Sequence, residues 1–235
     1  MFSESAEFYD AIYFQFKDYA AEAADIARRI RAAKPDARTV LDVACGTGEH
    51  ARLLATVHGF SVDGIDLNPD FVRLAAAKNP QGRFTVADMA NFDLGRRYDA
   101  VICMFSSIGY VRTLPMVERT LGRFKRHLAK GGVILVEPWF APGFLSDGYV
   151  STKEGKIGDT TVTRTSKNEI EGRTSRLHFD YRIEDKSGVR HASELHELGL
   201  FTVDEMLAAF AAAGLAVTHE PMTEGTRGMY IARGM

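Results

Sequence analysis

Apolar and polar residues follow two different periodicities along the chain, one before about residue 140 and the other after it. In the first part, continuous apolar runs typical of strands buried on both faces alternate with amphipathic helical patterns. The runs predict strands at 38–44, 59–66, 82–89, 98–105 and 133–138, and the helical patterns predict helices at 17–33, 48–57, 68–79 and 114–132. This strict alternation predicts an α/β fold with a doubly wound, mainly parallel sheet.

Between about residue 148 and residue 200 the apolar pattern has a period of two. In RLHFDYRIE (176–184), Leu177 and Phe179 face one way, while His178 faces the other way. Runs of the same kind, separated by glycine turns, lie at 161–170 and 189–198. These runs predict an antiparallel meander inserted into the α/β fold.

The helical order resumes after the meander and completes the sheet. Thr202 is a predicted N-cap for the helix VDEMLAAFAAAG, and strands are predicted at 215–221 and 227–233. The sheet then has seven strands. We expect one domain over 1–235, with an antiparallel insertion at about 148–200.

The loop after the first strand, within VLDVACGTGEH (40–50), has the form of a cofactor-binding turn. Gly46, Gly48 and Ala51 match the weak dinucleotide pattern G-x-G-x-x-G/A, and Asp66 follows at the end of the next strand. A nicotinamide-dependent oxidoreductase is therefore one hypothesis. Asp42 argues against it, because a carboxylate beside the loop would repel a pyrophosphate and would suit a cationic amine or sulfonium.

The third strand adds a feature that suits an adenine. Asp88 can accept a hydrogen bond from the exocyclic amine, and Met89 can pack on the ring face. Acidic residues at three successive strand ends, Asp42, Asp66 and Asp88, fit an adenosine that carries an amino-acid tail. The pattern favours S-adenosylmethionine over a dinucleotide.

Composition narrows the remaining classes of protein. The 29 basic and 31 acidic residues give a net charge of −2, so we expect no nucleic-acid or membrane partner. Cys45 and Cys103 lie in apolar runs and are expected to be buried, reduced thiols of a cytoplasmic protein. His191 and His196 are five residues apart on a predicted strand and therefore on opposite faces, so no metal site is expected.

Several longer stretches resemble a known family. The chain is similar to class I S-adenosylmethionine-dependent methyltransferases, whose sheet is Rossmann-like. It is more closely similar to the TDP-3-amino-sugar N,N-dimethyltransferases of the desosamine and mycaminose type. The stretches that carry this resemblance extend over nearly the whole chain and read KDYAAEA, LDVACGTG, ADMANFDLGRRYDAV, CMFSSIGY, GGVILVEPWF, TVTRTS, GVRH and FAAAGL.

The resemblance implies a set of cofactor-binding residues. Asp66 would bind the ribose hydroxyls, and Asp88 with Met89 would bind the adenine. The backbone would approach the methionine part at Ala44, Gly46 and Gly48, with Asp42 beside them and Met104 flanking the cofactor. Tyr9 and Tyr19 lie where the family's N-terminal segment closes over the cofactor.

The resemblance also implies a substrate half, in which the inserted meander helps to shape the sugar-nucleotide site. Arg227 would bind the substrate's diphosphate, and Arg164 is a second candidate for phosphate. Tyr110 is the expected catalytic residue, because its hydroxyl can hydrogen-bond to the substrate amine; a packing role is the alternative. Further candidate substrate ligands are Ser107, Trp139 and His178, although His178 also has the pattern of a solvated surface residue.

The leading hypothesis for function is N,N-dimethylation of the amine of a nucleotide-linked sugar. A neutral amine aligned with the sulfonium methyl is the main requirement of this reaction. One alternative is an N- or O-methyltransferase of another small metabolite, and a different class is a non-catalytic module that binds S-adenosylmethionine for a partner protein. The expected partner is a sugar nucleotide, with a homodimer as a possible assembly.

Overall fold

The computed structural model describes residues 6–223 and 226–234, with only the backbone of Glu7. A seven-stranded sheet lies at its centre, in the order β10-β11-β5-β4-β1-β2-β3. Its strands are β1 (Thr39–Val43), β2 (Ser61–Asp66), β3 (Phe84–Val86), β4 (Tyr98–Cys103), β5 (Leu128–Val136), β10 (Leu215–Glu220) and β11 (Met229–Gly234). Only β11 runs antiparallel to its neighbours. The mainly parallel α/β sheet is therefore confirmed.

Helices cover both faces of this sheet. They are α2 (Tyr19–Ala33), α3 (Glu49–Thr56), α4 (Pro69–Lys78), α5 (Leu114–Arg126) and α6 (Val203–Ala212), while a shorter helix, α1 (Tyr9–Tyr13), packs against the meander. Successive strand residues enter opposite cores: Leu41 packs in the cluster with α5 and α6, and Val40 in the cluster with α2 and α3. Such burial on both faces explains the continuous apolar runs of the sequence. Among the described residues, no helix is long and apolar enough to span a membrane.

Two helices begin at side chains that the sequence marks as caps. Asn68, which directly precedes Pro69, accepts a hydrogen bond at its side chain from the backbone N–H of Asp70. The Thr202 hydroxyl accepts from the N–H of Glu205, whose carboxylate accepts in return from the N–H of Thr202. These side chains satisfy backbone N–H groups in the first turns of α4 and α6.

The insertion between β5 and α6 is an antiparallel sheet of four strands rather than the three that the pattern predicts. They are β6 (Val150–Ile157), β7 (Thr160–Glu171), β8 (Thr174–Asp185) and β9 (Gly188–Gly199), hydrogen-bonded in that order. β6 escaped the pattern because it is an edge strand whose side chains are mostly polar and exposed. Phe179 of β8 stands opposite Ser166 of β7 and Glu194 of β9, so these three side chains share one face.

Several other boundaries differ from the sequence predictions, most of all between α5 and β5. The helix predicted at 114–132 ends at Arg126, and β5 begins at Leu128 and includes the glycines that the pattern assigned to the helix end. The N-terminal aromatic segment forms α1, which the sequence left unassigned. Residues 1–5, 224–225 and 235 of the predicted domain lie outside the described residues.

Helix α1 lies between the two sheets and packs against the meander. Its Ile12 shares an apolar cluster with Val162, Tyr181 and Ile183 of β7 and β8. Close approach is possible because residue 155 of β6 is glycine: a Cβ there would lie 2.4 Å from the Ala11 carbonyl oxygen. The meander and α1 together cover the carboxyl edge of the central sheet.

This contact predicts that Gly155→Ala loosens α1. The added methyl group cannot be accommodated without moving the α1 backbone, so we expect the free energy of unfolding to fall by about 1–3 kcal/mol. Amide hydrogen exchange in Tyr9–Tyr13 should accelerate in the same variant. Gly122→Ala in α5 is the matched control, because no atom lies within 4 Å of a Cβ there and alanine favours a helix. Unchanged exchange in α1 would contradict the packing argument.

Candidate active site

A large cavity lies between the carboxyl edge of the central sheet and the meander. Its volume is about 1270 Å³, more than one small-molecule ligand usually requires, so two ligands fit side by side. The wall formed by the central sheet comes from residues that directly follow β1 to β5, at the edge where open α/β sheets bind ligands. The opposite wall comes from α1 and from the inner face of the meander.

The glycine loop after β1 has three positive φ angles: 56° at Ala44, 54° at Gly46 and 76° at Gly48. Gly48 is required for a packing reason, because a Cβ there would lie 2.6 Å from the Cβ of Ala75 in α4. Ala44 and Gly46 line the cavity, whereas Gly48 lies behind the loop at the start of α3. The structure therefore brings two of the three predicted loop residues to the ligand space.

Asp42 is the buried carboxylate of the site. Its side chain is 2% exposed, and its Oδ2 has no hydrogen-bond partner among the described residues. Burial raises the pKa of Asp42 to about 7; the nearby Asp66 also raises it, and His50 lowers it. A small side cavity adjoins this carboxylate and is lined by Tyr19, Met104 and the loop. An unpartnered buried carboxylate beside a cavity fits the ammonium group of the S-adenosylmethionine tail.

Asp66 is held in place by the backbone. One carboxylate oxygen accepts from the N–H of Gly46 at 2.9 Å, and the other from the N–H of Asn68 at 2.9 Å. Burial raises the pKa of Asp66, and these N–H groups oppose the rise by stabilising the charged form. The carboxylate lines the cavity between the ends of β1 and β2, where it can accept from two vicinal hydroxyls.

The end of the cavity beside β3 is more apolar. Asp88 and Met89 follow β3 and line the cavity with Leu67 and Phe71. Asp88 accepts from the N–H of Ala90 at 2.9 Å, which fixes its carboxylate at the strand end. An acceptor beside an apolar wall suits a flat heterocycle with an exocyclic amine.

Helix α1 closes this half of the cavity. The ring of Tyr9 packs 4.2 Å from that of Tyr13 and 5.1 Å, edge-on, from that of Phe71. Asp10 accepts a hydrogen bond of 2.6 Å from the Thr47 hydroxyl of the glycine loop and also binds Lys78 of α4. The aromatic segment is therefore tied to the glycine loop.

The turn after β4 is strained. Phe105 and Ser106 have φ angles of 54° and 63°, which are rare for residues with a side chain. The Ser106 hydroxyl donates to the Pro138 carbonyl at 2.6 Å, and the Phe105 N–H donates to Glu137 at 2.7 Å. This conformation leads into a short 3-10 helix (Ser107–Val111), which carries Ser107 and Tyr110 along the cavity wall. Backbone strain of this kind is concentrated at functional sites.

Two arginines from different elements reach the other half of the cavity. Arg227 lies before β11 and donates to Glu137 at 3.2 Å, with the rings of Phe105, Trp139 and Phe140 about it at 5.2, 5.1 and 5.4 Å. Because β11 runs antiparallel, its start lies at the edge where β5 ends. Arg164 of β7 donates to the Tyr13 hydroxyl at 2.8 Å, and its guanidinium lies 4.5 Å from the centre of the Phe179 ring.

These groups leave donors for an anion. The Nε atoms of Arg164 and Arg227 and the Nε1 of Trp139 are buried without a hydrogen-bond partner among the described residues. In the described ranges, Arg164 forms no salt bridge to a carboxylate, whereas Arg227 pairs with Glu137. Guanidinium groups with unsatisfied N–H donors fit a diphosphate.

Sequence reasoning missed His196 and Glu194, which lie on the inner face of β9. His196 Nδ1 is 2.9 Å from the Tyr110 hydroxyl, and His196 Nε2 is 3.3 Å from Glu194. The alternation along β9 separates His191 from His196 as predicted, and His191 is exposed. The direction of the apolar residues in β8 and the register of β9 would have identified His196 as the inward histidine.

His178 requires a correction. It lies on the outer face of the meander, bonds to Glu169 at 3.0 Å and does not line the cavity. The strand alternation that turns Leu177 and Phe179 inward turns His178 outward. We therefore do not assign it to the substrate. The other predicted substrate residues, namely Ser107, Tyr110, Trp139, Arg164 and Arg227, all line the cavity.

The two cysteines and the possible metal ligands were located among the described residues. Cys45 and Cys103 are buried free thiols. Over residues 6–223 and 226–234, no cluster of three or more His, Cys, Asp or Glu side chains could hold a metal ion.

Comparison with known proteins gives consistent matches. A methyltransferase-domain family model matches residues 40–132. The chain is 41% identical to the dTDP-3-amino-3,6-dideoxy-alpha-D-glucopyranose N,N-dimethyltransferase of Streptomyces fradiae, covering 97% of this chain and 89% of the relative. It is 39% identical to the dTDP-3-amino-3,4,6-trideoxy-alpha-D-glucopyranose N,N-dimethyltransferase of Streptomyces venezuelae, covering 97% of each.

Two solved structures are also similar to this chain over nearly its full length. Streptomyces venezuelae DesVI superimposes with a TM-score of 0.92 and 38% identity over 100% of both chains. CalS10, an amino pentose methyltransferase of Micromonospora echinaspora solved with S-adenosylmethionine bound, gives a TM-score of 0.84 and 37% identity over 99% of this chain and 97% of that one.

The raised pKa of Asp42 predicts how stability changes with pH. In the ligand-free protein Asp42 binds its proton up to about pH 7, whereas in the unfolded chain it releases it near pH 3.9. The native state then holds more protons, so the free energy of unfolding falls as pH rises through this window. From pH 5 to pH 8, Asp42→Asn should gain about 2 kcal/mol relative to wild type.

Urea unfolding of both proteins at the two pH values measures this difference. Asp70→Asn, at an exposed position of α4, is the control and should keep the wild-type dependence on pH. Equal pH dependence in the wild type and Asp42→Asn would contradict the assignment of a buried, unpartnered carboxylate.

Proposed function

Because the chain belongs to the family of S-adenosylmethionine-dependent methyltransferases that includes the dTDP-amino-sugar N,N-dimethyltransferases, we propose that it N,N-dimethylates the amine of a TDP-linked 3-amino sugar. The position of the amine follows the two relatives at 41% and 39% identity, both named for 3-amino sugars. A relative at 34% identity is named for a 4-amino sugar. The observation that carries the proposal is the cavity itself, which is acidic at one end and holds two arginines at the other, Arg164 buried and Arg227 half-buried.

The acidic half is the proposed cofactor site. Asp42 would hold the ammonium of the tail, Asp66 the ribose hydroxyls, and Asp88 with Met89 the adenine. Ala44 and Gly46 would let the backbone approach the methionine part; Tyr19 and Met104 would flank it, and Tyr9 would cover it. S-adenosylmethionine supplies a sulfonium methyl that is already electrophilic, so the chain's own contribution is to orient the nucleophile and exclude water.

The half that faces the meander is the proposed substrate site. Arg227 and Arg164 would bind the two phosphates from opposite walls, with Trp139 and Ser107 between them. Tyr110 would direct the sugar amine, because its hydroxyl lies where the strained turn meets the meander. The insertion at about 148–200 then acts as a substrate-site element of one domain. The homodimer and the cytoplasmic location stay predictions.

Product analysis tests this proposal. The enzyme is incubated with S-adenosylmethionine and either a TDP-3-amino sugar or a TDP-4-amino sugar in parallel reactions. The masses of the products are then measured by mass spectrometry. We expect two methyl masses on the 3-amino sugar. Methylation of free amines or hydroxyls without any sugar nucleotide would favour a methyltransferase of another metabolite. S-adenosylmethionine binding without turnover on a wide metabolite panel would favour the non-catalytic module.

Separate substitutions should distinguish the two halves. We predict that Arg227→Gln and Arg164→Gln each raise the KM for the sugar nucleotide by about 10- to 100-fold, since each loses charged hydrogen bonds. The dissociation constant of S-adenosylhomocysteine, measured by calorimetry, should change less than about twofold because Asp42 and Asp66 are intact.

Arg182→Gln is the matched control, because Arg182 is exposed on the meander and bonds to Glu184 outside the cavity. It should retain wild-type KM. If the Arg227 variant lost cofactor and substrate affinity equally, the diphosphate would have been assigned to the wrong part of the cavity.

A further inference from the structure

A chain of hydrogen-bonding side chains leads from the cavity wall into the meander. The Tyr110 hydroxyl lies 2.9 Å from His196 Nδ1, and His196 Nε2 lies 3.3 Å from Glu194 Oε2. Tyr181 donates to the same Glu194 oxygen at 3.2 Å. These hydrogen bonds connect four side chains from the 3-10 helix, β8 and β9. They are bonds between side chains and are separate from the backbone hydrogen bonds that pair the strands.

Most of the polar side chains in this hydrogen-bonded network are buried, which is unusual. His196 is 2% exposed and Glu194 8%, whereas Tyr110 keeps 39% of its surface, facing the cavity that it lines. A buried histidine and glutamate cost solvation free energy unless they are paired, so a packing role alone would be served better by apolar residues. The ligand space is lined by Tyr110, which keeps the larger exposed surface, and by His196, whereas Glu194 does not line it.

Each methyl transfer requires a neutral amine, and dimethylation imposes this requirement twice. In each transfer the lone pair of the amine nitrogen forms the N–C bond, while the S–C bond breaks and its electrons stay on sulfur. After the first transfer the nitrogen is a secondary ammonium without a lone pair. One proton must leave this nitrogen before the second methyl group can be transferred.

We propose that Tyr110 and His196 form the proton path that keeps the substrate amine neutral: Tyr110 accepts a proton from the ammonium at its Oη while its own hydroxyl proton passes to His196 Nδ1. The imidazole becomes imidazolium against Glu194 and later returns the proton to water by way of the open cavity. Tyr110 is the catalytic residue in this scheme, and His196 is a positioning residue that acts through it. The inference rests on the proposed function, because it requires an amine substrate.

The groups around His196 support this direction of transfer. Burial lowers the pKa of His196, Glu194 opposes that change, and Arg164 on β7 lowers the pKa further. The imidazole is therefore neutral near pH 7 and can accept a proton. Burial raises the pKa of Tyr110, so the phenol keeps a proton and exchanges one for another rather than ionising. Tyr181 from β8 stabilises the Glu194 carboxylate that receives the imidazole N–H.

The test is the pH dependence of His196→Gln. Without the path, the enzyme relies on substrate that is already neutral in solution, and that fraction increases with pH. We expect kcat for the TDP-3-amino sugar to fall about 100-fold at pH 7, at the lower end of the range of general-base effects. At pH 9.5 the loss should shrink to a few-fold. His191→Gln is the matched control on the same strand, because His191 is exposed on the opposite face.

Two further measurements separate a proton path from a structural role. Tyr110→Phe should shift the pH profile in the same direction, and the double variant should lose no more than the larger single loss, because both residues serve one path. In ¹⁵N NMR of the resting enzyme, the His196 signal is identified by its absence from the spectrum of His196→Gln. This signal should show a neutral ring protonated at Nε2. The Tyr110→Phe variant should shift the Nδ1 resonance of His196.

Two outcomes would overturn the inference. The first is an equal loss of kcat in His196→Gln at pH 7 and at pH 9.5, which would indicate a structural role. The second is unchanged kcat at pH 7. The proposed function fails separately, because its failure is lack of sugar methylation by the wild-type enzyme at every pH.

Discussion

The attachment of α1 to both sheets is the contact on which the whole site depends. Asp10 of this helix accepts from Thr47 in the glycine loop, while Ile12 packs with Tyr181 in the meander. Gly155 makes the second contact possible by leaving room for the α1 backbone. Without α1, the acidic loop and the meander would face each other across open solvent, and the buried carboxylate of Asp42 would lose its dry surroundings.

Charge is sorted along the cavity that this helix closes. Asp66 and Asp88 line one half at strand ends, with Asp42 beside the adjoining side cavity, and Arg164 and Arg227 lie in the other half. Because electrostatic interactions are stronger where water is excluded, the sorting favours a cationic ligand on one side and an anionic ligand on the other. A sulfonium cofactor and a nucleoside diphosphate sugar have these charges, and their reacting ends would meet between the two halves.

The sequence was sufficient for those parts of the protein that local patterns determine. Buried parallel strands produce continuous apolar runs, and the acids at their ends mark the ligand edge, so the sheet and the candidate cofactor residues were predictable. β6 was not, because an exposed edge strand has no apolar alternation. His196 was missed and His178 was wrongly included for one reason: the pattern shows that two faces exist, but only packing against α1 and Tyr110 determines which face lines the cavity.

A crystal structure of the enzyme with S-adenosylhomocysteine and a TDP-linked 3-amino sugar tests the central claim most directly. The account predicts both ligands in the one cavity, with the ammonium of the cofactor product at Asp42, the diphosphate between Arg227 and Arg164, and the sugar amine beside the Tyr110 hydroxyl. A sugar nucleotide bound outside this cavity, or a diphosphate placed among Asp42, Asp66 and Asp88, would contradict it.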